Sequence, residues 1–193
     1  MKWFSLENLY AEPSHFSAGS MSATIHLNIY YPEGEVNAKN TGWAEETTLD
    51  VEWAHAIAPG ATIDLIVVKS ASFSDLYAGL SYAVNLVNTT NLVAISMSFG
   101  AAESQTTSSV ISHWHALFNY AVSRGITLIA SSGDNGAYDG TSSLTVNYPA
   151  SDPDVLSVGG TTLNITNNQW SGETSCSGSG GGSSSYFSEP SYS

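Results

Sequence analysis

Residues 43–61, Trp43-Ala-Glu-Glu-Thr-Thr-Leu-Asp-Val-Glu-Trp-Ala-His-Ala-Ile-Ala-Pro-Gly-Ala61, constrain this chain more than any other stretch. They read as a helix stopped by Pro59-Gly60. At 100° per residue Glu46 and Asp50 lie one turn apart, within the stripe that carries Trp43, Trp53, Ala54 and Ile57. His55 points to the opposite side, and Glu45 and Glu52 lie on a flank open to water. A carboxylate on a core-facing stripe is costly unless it is paired, hydrogen-bonded or protonated. Two at i,i+4 are expected to share a proton, which is an acid–base arrangement. The competing reading is a solvated acidic helix.

Charge narrows the function classes. Four basic residues stand against 17 acidic ones, a net charge of −13. So few cations cannot neutralise a run of phosphates, which argues against a nucleic-acid partner. Charged residues make up only 11% of the chain, so few ion pairs are lost when carboxylates protonate. Self-repulsion also falls as the pH drops. The composition is compatible with work at acid pH. No apolar run reaches the length of a membrane helix, and no signal-peptide pattern follows Met1. Cys176 is alone, so an internal disulfide is impossible. His113-Trp-His115 puts two rings on different helix faces, and no metal is expected there. Asn88-Thr-Thr90 and Asn164-Ile-Thr166 match the glycosylation pattern, which matters only for an exported eukaryotic or archaeal chain.

The rest of the chain alternates strand and helix. Residues 1–20 show no period and are expected to be a loop or a frayed start. Strands are expected at 22–30, 61–68, 92–99, 126–130, 155–158 and 161–165, with a turn at Pro32-Glu-Gly34. A helix capped by Ser74 runs to about Leu86. Another runs from Ser108 to Arg124 with Ile111, Leu117, Ala121 and Val122 inward, closed by Gly125. Beyond residue 165 the pattern thins out. The alternation predicts an α/β fold of one domain, a mainly parallel sheet with helices on both faces, and function at the carboxyl ends of its strands. Two loops fall there: Ser98-Phe99-Gly100 and Ser131-Ser132-Gly133-Asp134-Asn135-Gly136. Asp134 reads as turn chemistry on motif alone. At a strand's carboxyl end, a protonated carboxyl could also donate to a developing oxyanion. Ser177-Gly-Ser-Gly-Gly-Gly182 lacks the Gly-Lys-Ser/Thr of a phosphate cradle and reads as a flexible or close-packed loop.

Four segments in order resemble the sedolisins, the serine-carboxyl peptidases of subtilisin-like fold. They are Glu46-x-x-x-Asp50 with Val51–Ala61; Ile95-Ser-Met-Ser-Phe-Gly100; Ala130-Ser-Ser-Gly-Asp-Asn-Gly-Ala137; and Tyr148-Pro-Ala-Ser-Asp-Pro-Asp-Val-Leu-Ser-Val-Gly-Gly160. Ser179–Gly182 with Phe187 and Pro190 looks like the segment ahead of that family's serine. The match covers about residues 25–192. The resemblance implies a three-layer subtilisin-like fold, incomplete at its C-terminal side. It implies acid-pH hydrolysis of protein or peptide substrates by a Ser-Glu-Asp triad. Glu46 would be the general base, Asp50 its partner and Asp134 the oxyanion acid. Ser98, Phe99, Gly100, Ser132 and Gly133 would pair with the substrate backbone as an added strand. It further implies secretion, and calcium in the complete domain.

The chain departs from the family at the nucleophile. The family's serine lies in a Gly-Thr-Ser motif downstream of the glycine-rich tail. Gly140-Thr-Ser142 precedes the Tyr-Pro-Ala-Ser segment and is read as a surface loop. Residues 1–193 are therefore expected to be part of a catalytic domain, without its nucleophile and calcium loop, holding no cofactor and inactive alone. A truncated sheet would expose an apolar edge and promote self-association. A histidine-based hydrolase is disfavoured because none of the five histidines has a His-Gly-Thr-His type context. The alternative is a non-catalytic peptide-binding or structural module that keeps the fold.

Overall fold

Ala61–Val68 is a nearly continuous apolar run, and the strand it forms is covered on both faces, as such runs in parallel sheets are. The structure, a computed structural model, describes residues 2–7, 24–35, 40–88 and 91–191. Its strands are β1 (Lys2–Glu7), β2 (His26–Tyr30), β3 (Thr62–Val67), β4 (Leu92–Met97), β5 (Ala101–Ala102), β6 (Thr127–Ser131), β7 (Asn147–Tyr148), β8 (Val155–Val158), β9 (Thr161–Thr166) and β10 (Gln169–Ser175). Its helices are α1 (Thr41–Ile57), α2 (Phe73–Leu86) and α3 (Ser108–Ser123). The chain forms two compact units. The first comprises residues 1–98 and 119–128, the second residues 99–118 and 129–193.

In the first unit the strands lie in the order β2-β3-β1-β4. β1 runs parallel to β3 with Lys2 opposite Thr62, and parallel to β4 with Phe4 opposite Ile95. The expectation of a loop at the start of the chain is corrected here for residues 2–7; residues 8–20 lie outside the described residues, as do 22 and 23 of the expected first strand. Lys-Trp-Phe-Ser-Leu-Glu has no clean period because a strand paired on both edges draws its stability from distant partners. Five of the six β3 residues are buried, and α1 and α2 pack against β1 and β3. Leu76, Leu80, Ala83 and Val84 form the inner face of α2. Its cap is Ser72, not Ser74: the Ser72 hydroxyl accepts from the Asp75 N–H at 3.2 Å. Such a cap contributes about 1 kcal/mol.

The stripe on α1 is real, but it is not the core face. The buried residues are Thr47 and Val51, with half-buried Ala54 and Ala58 continuing the seam. Trp53 and Ile57 are 62% and 76% exposed. They share a row with Glu46 and Asp50 along the rim of that seam, where both acids are half-buried. His55, expected on the side opposite the acids, is half-buried and its Nδ1 is shielded without a hydrogen-bond partner.

The second unit is built around an aromatic cluster. Trp114 meets Phe99, Phe118 and Tyr148 edge-on, at ring-centroid distances of 6.2, 5.8 and 6.5 Å. On α3 this unit buries Ile111, Trp114 and Phe118; further along the helix, in the first unit, Ala121 is buried and Val122, expected inward, is 43% exposed. β8 neighbours β6 and ends the strand order. β9 and β10 form an exposed antiparallel hairpin, turned at Asn167 and Asn168 with φ of 52° and 58°. Among the described residues no helix is long and apolar enough to cross a membrane.

Candidate active site

In the first unit, Asp50 and Ser98 come together from residues 48 positions apart. The Ser98 hydroxyl donates to Asp50 Oδ1 at 3.0 Å. Ser98 stands immediately after β4, so α1 presents its acids at the carboxyl end of a central strand. Such strand ends are where open α/β sheets place their ligands. Helix geometry then sets Glu46 one turn N-terminal to Asp50, on the same half-exposed rim. Two side-chain bonds fix this part of the helix. Thr47 and Thr48 hydroxyls donate to the Trp43 and Ala44 carbonyls, both at 2.8 Å. Asn40 caps the helix by accepting from Gly42 and Trp43.

In the second unit, β6 leads into the loop holding Ser132, Gly133 and Asp134. Ser132 is buried and its N–H donates to the Val158 carbonyl at 2.9 Å. Gly133 has φ 96°, in the left-handed region that favours glycine. Asp134 is exposed. The glycine-rich tail packs on this loop, the close-packed of the two readings made from its sequence. Gly180 N–H donates to the Gly133 carbonyl at 3.1 Å, and Gly136 N–H to the Gly178 carbonyl at 2.8 Å. A Cβ at Gly180 would collide with the Ser132 carbonyl, and one at Gly178 would sit 2.9 Å from the Asp134 carbonyl. Ser179 Oγ lies 3.2 Å from Ser132 Oγ and accepts from Gly160 N–H at 3.0 Å. Phe99 is buried on Trp114, while Gly100 lies so close to Asn147 and the Tyr148 carbonyl that any side chain there would clash. Gly140-Thr141-Ser142 is a surface turn, closed by Thr141 Oγ1 donating to the Tyr138 carbonyl.

Glu103 gave no signal in the sequence. It is buried, and Ser151 Oγ and Ser184 Oγ donate to its Oε2 at 2.6 and 2.7 Å. Ser185 donates to its Oε1 through both N–H and Oγ, at 2.8 and 2.9 Å. Burial alone would raise its pKa, but these bonds outweigh it and hold the carboxyl below its ordinary range. Glu103 thus clamps the tail onto the unit. A cleft of about 410 Å³ opens beside that clamp, lined among others by Ser132, Asn147, Asp152, Ser184 and Phe187. Burial pushes the Asp152 carboxyl above its usual range, against hydrogen bonds from Asp154 N–H and His115.

The chain has relatives among known proteins. The subtilase family matches residues 34–189. Kumamolisin from Bacillus sp. (strain MN-32) is 30% identical over 169 residues, covering 83% of this chain and 30% of kumamolisin. Tripeptidyl-peptidase 1 from Rattus norvegicus is 33% identical over 157 residues, covering 76% of this chain and 27% of the relative. The structure of Pseudomonas sedolisin, a serine-carboxyl proteinase solved with two molecules of pseudo-iodotyrostatin, aligns with a TM-score of 0.79 at 25% identity. That alignment covers 99% of this chain and 59% of sedolisin. The chain thus spans less than a third of the length of the curated relatives above. The subtilisin-like fold and the sedolisin resemblance read from the motifs are both borne out. The chain belongs to the subtilase family, and its relatives there are the sedolisin-type serine peptidases.

Proposed function

We propose that this chain supplies the acid–base part of a serine-carboxyl endopeptidase that hydrolyses peptide bonds at acid pH. The Asp50–Ser98 hydrogen bond at the end of β4 is the observation that supports this most. In this reading a serine Oγ attacks the scissile carbonyl and passes its proton to Glu46. Asp50 holds Glu46 and stabilises its charge, as a carboxylate supports histidine in the better-known triad. Asp134, as a neutral carboxylic acid, donates to the oxyanion. The proton on Glu46 then goes to the leaving amine. Ser98, Phe99, Gly100, Ser132 and Gly133 pair with the substrate backbone as an added strand.

A base with a carboxylate's pKa works best at acid pH. The one Gly-Thr-Ser of the 193 residues, Gly140-Thr-Ser142, lies ahead of the Tyr-Pro-Ala-Ser segment, and on this reading it is a surface loop and not the home of that serine. Residues 1–193 are on this reading part of a catalytic domain, inactive alone. The complete protein is secreted and binds calcium through a segment that no residue of this chain is assigned to. The test is peptide hydrolysis by the product of the complete reading frame, measured from pH 3 to pH 8. Cleavage confined to the acid side supports the reading. Peptide binding without cleavage at any pH overturns it in favour of a binding module.

A further inference from the structure

His115 from α3 meets Asp152 and Asp154 from the loop before β8. His115 Nδ1 lies 3.0 and 3.1 Å from the two Asp152 oxygens and 3.8 Å from Asp154 Oδ2. One donor atom from each residue falls within 4.8 Å of the others. Ligand atoms around a tetrahedral zinc, with bonds of roughly 2.0–2.1 Å, lie about 3.3 Å apart. The separations from Nδ1 bracket that value.

Charge gives a second, independent reason. The second unit contains no lysine or arginine at all. Two carboxylates therefore converge where His115 is the one group of the cluster that can carry positive charge. Asp152 is 2% exposed. Asp154 Oδ2 is buried and meets no hydrogen-bond donor. A buried carboxylate oxygen left without a donor is costly, and a cation at that point removes the cost.

The surroundings resemble those that orient metal ligands. Asp154 N–H donates to Asp152 Oδ1 at 3.0 Å, and the Tyr148 hydroxyl faces Oδ2 at 3.5 Å. The His115 ring is held against Phe187 at 5.1 Å. Ligating carboxylates and imidazoles are commonly fixed by such outer contacts.

We propose that His115 Nδ1, Asp152 and Asp154 form a binding site for a divalent cation of the zinc class, with water completing its coordination. The imidazole nitrogen selects against calcium and magnesium, which prefer all-oxygen sets. Bound there, the ion ties α3 to the loop that walls the cleft. It sits within the second unit and is independent of the peptidase reading.

The test is titration of the protein with zinc at pH 7 against a chromogenic chelator, with cadmium-113 NMR as the second readout. One equivalent binds, and one cadmium resonance appears. His115→Ala and Asp154→Asn each weaken zinc at least tenfold and abolish that resonance. His113→Ala changes neither. Asp154→Asn removes a carboxylate whose Oδ2 meets no donor, so it does not lower the metal-free melting temperature, and it carries the test if His115→Ala does not fold. No saturable binding, or unchanged zinc affinity in a folded Asp154→Asn protein, overturns the site.

Discussion

Ser98 donates its hydroxyl hydrogen to Asp50 Oδ1 at 3.0 Å, joining the end of β4 to the middle of α1. Neither residue alone would mark a site, since a serine after a strand and an acid on a helix are both ordinary. Together they fix which way the α1 acids face. Ser98→Ala removes one hydrogen bond to a carboxylate, worth about 1 kcal/mol, and leaves the backbone unchanged. In the complete protein kcat is expected to fall roughly fivefold with KM nearly constant, because the lost hydroxyl orients Asp50 while the Ser98 backbone, which pairs with substrate on this reading, is unchanged. Ser98→Thr should restore most of it. Steady-state kinetics on a fluorogenic peptide check this.

Asp134→Asn is expected to lower kcat by about a hundredfold, less than any change at Glu46, because an amide still donates to the oxyanion. Steady-state kinetics of the complete protein and the variant near pH 4 measure the loss.

The Glu103 clamp makes stability depend on pH in a definite direction. Its folded-state carboxyl ionises below the ordinary value of 4.5, because the serine donors outweigh burial. A depressed carboxyl stabilises fully above its unfolded pKa, and that contribution is lost as pH falls through the folded value. Glu103→Gln should therefore destabilise by about 2 kcal/mol near pH 7, with the gap to wild type closing below pH 4.5. Melting temperatures of both proteins across that range measure it. An equal gap at all pH values would mean packing, not charge, holds the tail.

The packing of the glycine-rich tail permits no side chain at Gly180, where a Cβ meets the Ser132 carbonyl. Gly180→Ala forces backbone to move and is expected to cost about 1–3 kcal/mol. Gly181→Ala, where a Cβ meets nothing within 4 Å, should be nearly silent. Comparing their melting temperatures separates tight packing from a merely flexible loop.

β8 ends its sheet and exposes Leu156 and Val158 on one face, at 58% and 48%. The chain alone is expected to self-associate through this edge. Sedimentation velocity should show oligomers, and a Leu156→Lys, Val158→Lys double variant should shift toward monomer. A monodisperse wild-type monomer would contradict this.

Most of the parallel sheet was legible because its strands are apolar runs between clear turn and cap signals. β1 was not, since Lys2–Glu7 becomes a strand only through partners more than 50 residues away. The β9–β10 hairpin carries a readable signal at its turn: Asn167-Asn168, two residues that tolerate positive φ. On α1 the period was right and the phase off by one step, so Trp53 and Ile57 read as core although they line an exposed rim beside the acids. The α1 acids and the Asp134 loop were visible as local motifs. Glu103 and the Asp152–His115 pair were not, because each depends on contacts between segments 37 or more residues apart.

On the proposed function, Glu46 is the general base of an acid peptidase. The most direct measurement is kcat for peptide cleavage near pH 4 by the complete protein and its Glu46→Gln variant, with folding checked by melting temperature. A loss of about a thousandfold or more is expected, with the fold intact. Near-wild-type turnover in a folded Glu46→Gln protein would contradict it.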